Sequence, residues 1–304
     1  MTGSKLRAIV LGSGAGGGVP QWNCRCRVCR LAWAGDPRVR PRTQSSLAVS
    51  ADGERWLLLN ASPDLRRQIV DTPALHPRGE DRQSPIVAVL PTNADVDHVT
   101  GLLTLRERQP LTLYATHRTL DTLAANRIFE VLAGDVVARR AVPLGEPFEP
   151  LPGLSVELFT VPGKVALWLE EGEVATDVES EGTVGVAVEA GGRRLLYVPG
   201  CARMTPALAA RIAHAHVVLF DGTLYDDEEM IREGLGDKTG RRMGHMPMTG
   251  EGSSLDAFAA HAGLRRIFVH VNNSNPALIE GSPEARRVEE AGWEVGFDGM
   301  ELVA

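Results

Sequence analysis

Cys24, Cys26 and Cys29 form a Cys-x-Cys-x-x-Cys cluster. Thiolates spaced this tightly can converge on one soft cation from a single turn, and zinc suits them best, usually in a closed tetrahedral shell. Arg25, Arg27 and Arg30 make the segment too polar for an ordinary buried run, so a structural zinc explains the trio better than a metal-free core. Asn93-Ala94-Asp95-Val96-Asp97-His98 gathers carboxylates and an imidazole directly after an apolar run, and further imidazoles stand at His245, in a Gly- and Met-rich loop, and at His270. Imidazole titrates near neutrality, which makes His245 a candidate general acid or base; the plainer alternative is a loop histidine bonding backbone groups. Glycines 12, 14, 16, 17 and 18 resemble a dinucleotide fingerprint, but that motif must open into a helix N-terminus, and here Pro20 and the cysteines come next. They are read as suppliers of positive φ in a loop near the site's rim.

Stepping outward, the elements that must hold these groups are short. Strands are expected at Leu6–Leu11, Ser46–Val49, Trp56–Leu59, Ile86–Leu90, Leu111–Tyr114, Ser155–Val161, Val184–Glu189, Arg194–Val198, Val217–Asp221 and Arg266–Val271. Apolar residues three and four apart predict helices over Leu65–Val70, His117–Leu132, Pro206–Ala213, Ser254–Ala262 and Glu284–Ala291. Residues Glu170 to Glu181 hold five glutamates and little apolar content, which predicts a solvated loop or hairpin tip. Strands alternating with helices, with many strands before the first long helix, favour an α/β chain built as an αββα sandwich of two mixed sheets flanked by helices.

The 304 residues, 43% hydrophobic and 23% charged, are enough for one large core, so residues 1–304 are expected to form a single domain. A net charge of -7 argues against a nucleic-acid partner. Met1 to Arg7 leads into only four apolar residues, unlike a signal peptide, and no run is long enough to span a bilayer. A cytoplasmic location is the expectation. Cysteine usage agrees, since a tight trio plus the distant Cys201 is no secreted disulfide framework. Cys201 itself is read first as a small buried residue, with a reactive thiol or metal neighbour as alternatives.

The run from Asn93 to His98 resembles the His-x-His-x-Asp-His signature of the metallo-β-lactamase superfamily, with the first two histidines replaced by Asn93 and Asp95. In that superfamily the lost histidines hold a first metal, and its third histidine follows a mid-chain Pro-Gly. Here Pro162-Gly163 is followed by Lys164, whose ammonium repels cations, and Gly200-Cys201 stands where a bridging carboxylate is expected. The second metal keeps Asp97, His98 and His270. Two histidines and one carboxylate with open positions form the facial triad suited to non-haem iron(II) and dioxygen. Asp221 is a further candidate ligand, and Asp95 a candidate near the reacting groups; either could instead orient a histidine.

Together with Met243-Gly244-His245-Met246-Pro247-Met248 and His270-Val271-Asn272-Asn273-Ser274-Asn275-Pro276, these motifs make the whole chain resemble the PqqB family of pyrroloquinoline quinone biosynthesis. That resemblance implies an iron-dependent hydroxylase acting on the tyrosine ring of a Glu–Tyr unit cut from a precursor peptide, and contacts with other proteins of that pathway. It also offers Asn273 as the fourth zinc ligand, because related phosphodiesterases with the cysteine trio place a histidine at that offset; water or a carbonyl are the alternatives. A substrate with several carboxylates would suit Lys238, Arg241 and Arg242, just before His245. Two competing functions are a carrier of the quinone or its precursor towards the periplasm, and a metal-dependent hydrolase. Oligomeric state is left open by the sequence.

Overall fold

The computed structural model describes residues 5–303 apart from 80, 173 and 262. Strands β1 (Arg7–Gly12), β2 (Ser46–Ser50), β3 (Trp56–Leu59), β4 (Ile86–Leu90), β5 (Leu111–Ala115) and β6 (Val137–Ala141) build one sheet. Strands β7 (Phe148–Leu151), β8 (Leu154–Gly163), β9 (Val178–Ala190), β10 (Arg193–Val198), β11 (Val217–Asp221), β12 (Arg265–Val269) and β13 (Trp293–Val295) build the other, and β14 (Glu301–Val303) returns to pair antiparallel with β1. Each sheet has seven strands, in the orders β14-β1-β2-β3-β4-β5-β6 and β13-β12-β11-β10-β9-β8-β7. Both are mixed: β1–β3 and β7–β10 pair antiparallel, whereas β3–β6 and β10–β13 run parallel.

The two-residue period of a strand explains how the layers stack. In β3, Leu57 and Leu59 face the other sheet while Trp56 and Leu58 face helices on the outside; in β11, Val217 and Leu219 face inward while Val218 and Phe220 face outward. Strands covered on both faces read as continuous apolar runs, which is why the sequence reveals them. Burial of each such side chain contributes about 1.5–3 kcal/mol.

Ten strands stand where the sequence places them. The four it misses, β6, β7, β13 and β14, are edge strands of the sheets or short terminal ones, and their composition says why: β6 exposes Arg139 and Arg140, and β7 contains Pro150. Charge and proline protect an edge and erase the alternating pattern. The helix expected over His117–Leu132 stops at Ala124 and continues as a separate 3-10 turn, Arg127–Val131, because Asn126 is extended. The helix expected over Ser254–Ala262 ends at Ala257, and Ala262 lies outside the described residues. The segment read as a loop from Glu170 to Glu181 is shorter than expected, since β9 begins at Val178; its Glu173 is outside the described residues, as are Met1 to Ser4 of the leading segment.

Candidate functional site

Every chemically interesting group of the sandwich follows the C-terminal end of a strand. Asn93 to His98 follow β4, Lys164 follows β8, Pro199 to Cys201 follow β10, Asp221 ends β11, and His270 follows β12. The glycine loop after β1 joins this rim: Val271 N–H donates to the Ser13 carbonyl and Ala15 N–H donates to the Val271 carbonyl, both at 2.9 Å. Asp298 fastens the loop's base by accepting from the backbone and hydroxyl of both Ser13 and Thr43. Gly17 and Gly18 take positive φ, as the loop reading requires. These loops surround a cavity of about 380 Å³, lined among others by Asp97, His98, His245, His270, Lys164 and Lys238.

Asp97, His98 and His270 meet at the floor of that cavity, with one ligand atom from each within 4.8 Å of the others. His98 Nδ1–H donates to Asn93 Oδ1 at 2.6 Å, which turns Nε2 inward. That Nε2 is buried, has no hydrogen-bond partner among the described residues, and lies 3.6 Å from Asp97 Oδ2. A buried nitrogen left bare beside a carboxylate is a donor atom suited to a cation, and the donor set of two imidazoles and one carboxylate fits iron(II). His270 Nε2 is 3.2 Å from the same Asp97 oxygen, and its backbone is held at φ 56°, uncommon for a residue with a side chain. Burial would push the Asp97 carboxyl up, but the adjacent His98 and His270 outweigh it and hold the group well below its ordinary range. Burial pulls His98 down, whereas for His270 the same burial is overcome by the hydrogen bond and charge of Asp97.

A hub behind this floor escaped the sequence. Thr223 Oγ1 lies 2.7 Å from Asp221 Oδ1, 2.9 Å from His270 Nδ1 and 3.1 Å from His245 Nδ1. Its single proton goes to the nearest acceptor, the carboxylate, so the hydroxyl oxygen accepts from His270 Nδ1–H. Asp221 Oδ2 accepts from His245 Nδ1–H at 2.8 Å and from Cys201 N–H at 2.9 Å. Both oxygens of the fully buried Asp221 are engaged in this network, which orients His245 directly and His270 through Thr223; one ligand atom each from Asp221, His245 and His270 also lies within 4.8 Å of the others, so Asp221 keeps its place as a candidate ligand. A polar residue two positions past a strand-ending aspartate was the available signal for Thr223.

The three positions where the superfamily signature is broken have new work. Asn93 orients His98 and donates from Nδ2 to Asp95 Oδ2 at 3.0 Å. Asp95 accepts from Leu167 N–H at 3.0 Å through its other oxygen, so one oxygen serves Asn93 and the other holds the β8–β9 connection; it lines the cavity without joining the converging ligand atoms. Lys164 pairs with Glu170 at 2.8 Å. Of the three basic residues expected to read substrate, Lys238 lines the cavity. Arg241 turns to Asp227 and the Glu251 carbonyl, and neither Arg241 nor Arg242 is among the residues that line this cavity.

The cysteine trio forms a separate centre. Its three Sγ atoms lie within 4.8 Å of one another, each accepting a backbone N–H at 3.4 Å: Cys24 from Cys26, Cys26 from Cys29 and Cys29 from Gln21. Cys26 thereby caps the helix Arg27–Trp33, which the sequence reading did not anticipate. Arg25, Arg27 and Arg30 are exposed while the cysteines are buried. Asn273 covers the open side, with Nδ2 at 3.1, 3.7 and 3.3 Å from the sulfurs of Cys24, Cys26 and Cys29. A half-turn of its amide puts an oxygen donor in that place, so Asn273 stands where a fourth ligand is needed. Burial pushes the Cys26 thiol up to about 12 and raises Cys29 as well. Cys201 is a small buried residue, donating from Sγ to the Arg203 carbonyl.

Residues 55–271 match the family model described as a β-lactamase superfamily domain. Coenzyme PQQ synthesis protein B of Methylobacterium nodulans is 64% identical over 297 residues, covering 98% of this chain and 99% of its own, and the protein of the same name from Rhizobium meliloti is 54% identical over 299. A crystal structure of zinc-bound PqqB from Methylobacterium extorquens superposes with a TM-score of 0.96 at 62% identity, over 97% of this chain and 99% of that one. A diphosphatase of the PhnP family shares the fold alone, at TM-score 0.68 and 20% identity over 99% and 97% of the two chains. Identity of this extent over nearly the whole chain makes it a member of the coenzyme PQQ synthesis protein B family, with the metallo-β-lactamase fold.

Proposed function

We propose that this protein acts in pyrroloquinoline quinone biosynthesis as an iron(II)-dependent oxygenase that hydroxylates the tyrosine ring of a Glu–Tyr unit. The observation that carries the reading is the convergence of Asp97, His98 and His270 around the bare, buried Nε2 of His98, open to a cavity of about 380 Å³. Iron(II) held by those three residues would supply the dioxygen chemistry that an aromatic ring needs for hydroxylation. His245, whose Nδ1–H is held by Asp221, keeps Nε2 free to take the phenol proton. The trio and Asn273 would hold a structural zinc. No helix among the described residues is long and apolar enough to cross a membrane.

A hydrolase with two metals is the less favoured reading, because Asn93, Asp95 and Lys164 are each committed to other partners. A quinone carrier has no evident need for the bare histidine nitrogen. Anaerobic loading with iron(II), followed by oxygen uptake and mass analysis with Glu–Tyr and a reductant, tests the assignment. The expected product is heavier by one oxygen atom, and His98→Ala should lose both iron and turnover. A variant that remained loaded and active would reject it.

A further inference from the structure

The cavity lining carries two lysines that the reaction above leaves unused. Lys164 follows β8 and Lys238 lies in the loop before the turn Arg241–Met243, yet both aim at one carboxylate: Lys164 Nζ is 2.8 Å from Glu170 Oε1 and Lys238 Nζ is 3.5 Å from Glu170 Oε2. The side chains of Lys164 and Glu170 are only 14% and 13% exposed. Among the described residues Glu170 is the sole carboxylate within ion-pair distance of either lysine. Lys164 is also fixed along its length, since its stem lies against Gly244 and its carbonyl accepts from Thr183 Oγ1 at 2.9 Å.

Glu170 comes from the strap that joins β8 to β9. Leu167, Trp168 and Leu169 of this strap are partly exposed; Leu167 N–H donates to Asp95 and Trp168 Nε1–H to the Ala94 carbonyl, both at 3.0 Å, and Asp177 pairs with Arg203 at 3.6 Å. A carboxylate carried on this strap, plugging a pair of lysines inside a ligand-sized cavity, is chemically interchangeable with a carboxylate brought by a ligand. Removing Glu170 alone would strand an enclosed ammonium, whereas exchanging it for another carboxylate leaves the charges balanced.

We propose that Lys164 and Lys238 receive a carboxylate of the ligand, and that Glu170 is an internal stand-in displaced when the ligand binds. The exchange rejects neutral analogues, which cannot compensate the lysines once Glu170 leaves. It moves the strap and Trp168 with it. This inference rests on the Glu–Tyr reading for the identity of its probe, but needs no metal chemistry.

Calorimetric titration under nitrogen tests it with three ligands: Glu–Tyr, the same dipeptide with both carboxylates amidated, and glutarate. The wild-type protein should bind the free dipeptide about tenfold tighter than the amidated one. Lys164→Gln should erase that preference and Lys164→Arg should restore most of it, which separates lost recognition from lost folding. Glu170→Gln should bind the dipeptide about threefold tighter, because the internal competitor has been neutralised. A Glu170 that merely anchored the strap would give equal or weaker binding in Glu170→Gln, and that result overturns the proposal, as does a preference that survives in Lys164→Gln. If glutarate follows the Lys164 dependence while the dipeptide does not bind, the carboxylate receptor stands and the Glu–Tyr reading falls. Failure of both ligands to bind either wild type or Glu170→Gln overturns the receptor itself.

Discussion

The two candidate metal centres share one loop, His270 reaching into one and Asn273 into the other, and are built in opposite ways. The cysteine centre draws its three sulfurs from Cys24 to Cys29, satisfies them with backbone N–H groups, and is closed by Asn273. The histidine centre draws Asp97 and His98 from the end of β4 and His270 from beyond β12, on the other sheet, and opens onto the cavity. A closed thiolate shell suits a cation that stays and stabilises, whereas an open shell of nitrogen and oxygen donors leaves room for reactants. The contrast predicts that damage to one centre appears as lost folding and damage to the other as lost chemistry.

The largest expected effect therefore belongs to Cys26→Ser. It removes a thiolate and the cap of the helix Arg27–Trp33 in one change, and structural zinc sites contribute on the order of 10 kcal/mol to folding. Losing one ligand should lower Tm by about 10 °C and release zinc, read by scanning calorimetry and metal analysis. His98→Ala is the counterpart: iron and turnover disappear while Tm falls by less than half as much and zinc is retained. A Cys26→Ser protein melting beside wild type, or a His98→Ala protein that lost its zinc, would erase the distinction.

Thr223→Val sharpens the comparison further. The substitution keeps the shape but removes the hydroxyl that ties His270 to Asp221 and stands beside His245 Nδ1. Loss of such a supporting contact weakens a metal site by about 10–100-fold. The loss should appear in iron affinity and kcat, leaving KM and zinc content near wild type. A Thr223→Val enzyme with unchanged iron affinity would show that the backbone alone sets the histidines.

The same contrast explains what could be read from the chain without its fold. The cysteine centre is a local pattern, so Cys24, Cys26 and Cys29 identify themselves, and the buried strands are apolar on both faces. Asp97, His98 and His270 needed the superfamily resemblance, since nothing in their spacing brings β4 and β12 together. An aspartate ending a strand carries no mark of the four hydrogen-bond donors that Asp221 meets. Thr223, Asn93 as the partner of His98, and Glu170 as the partner of Lys164 are long-range pairings between ordinary polar residues, invisible to periodicity. Arg241 teaches the reverse: proximity in sequence to His245 says little about where a side chain goes, and this one turns to Asp227 and the Glu251 carbonyl.

The smallest effect concerns the join between the centres. Glu229 is buried; its carboxylate accepts from Tyr225 N–H at 2.7 Å and from Ser274 Oγ, next to Asn273, while its neighbour Met230 lines the cavity. Burial pushes its pKa up to about 7, with Asp226 adding to the rise and Ser274, the Tyr225 backbone and Arg232 opposing it. An unfolded glutamate releases its proton near pH 4.5, so between about 4.5 and 7 the native state holds a proton that the unfolded chain has lost. This contribution to stability is complete below pH 4.5 and is lost as pH rises through 7. Glu229→Gln has no charge, keeps the Tyr225 bond through its oxygen and can donate to Ser274 Oγ from its nitrogen, so it should match wild type at pH 4 and exceed it by about 3 kcal/mol at pH 8, measured by urea unfolding. Parallel stability curves for the two proteins would mean that the carboxylate is ionised where it sits, and that Ser274 and Tyr225 stabilise the charge better than burial opposes it.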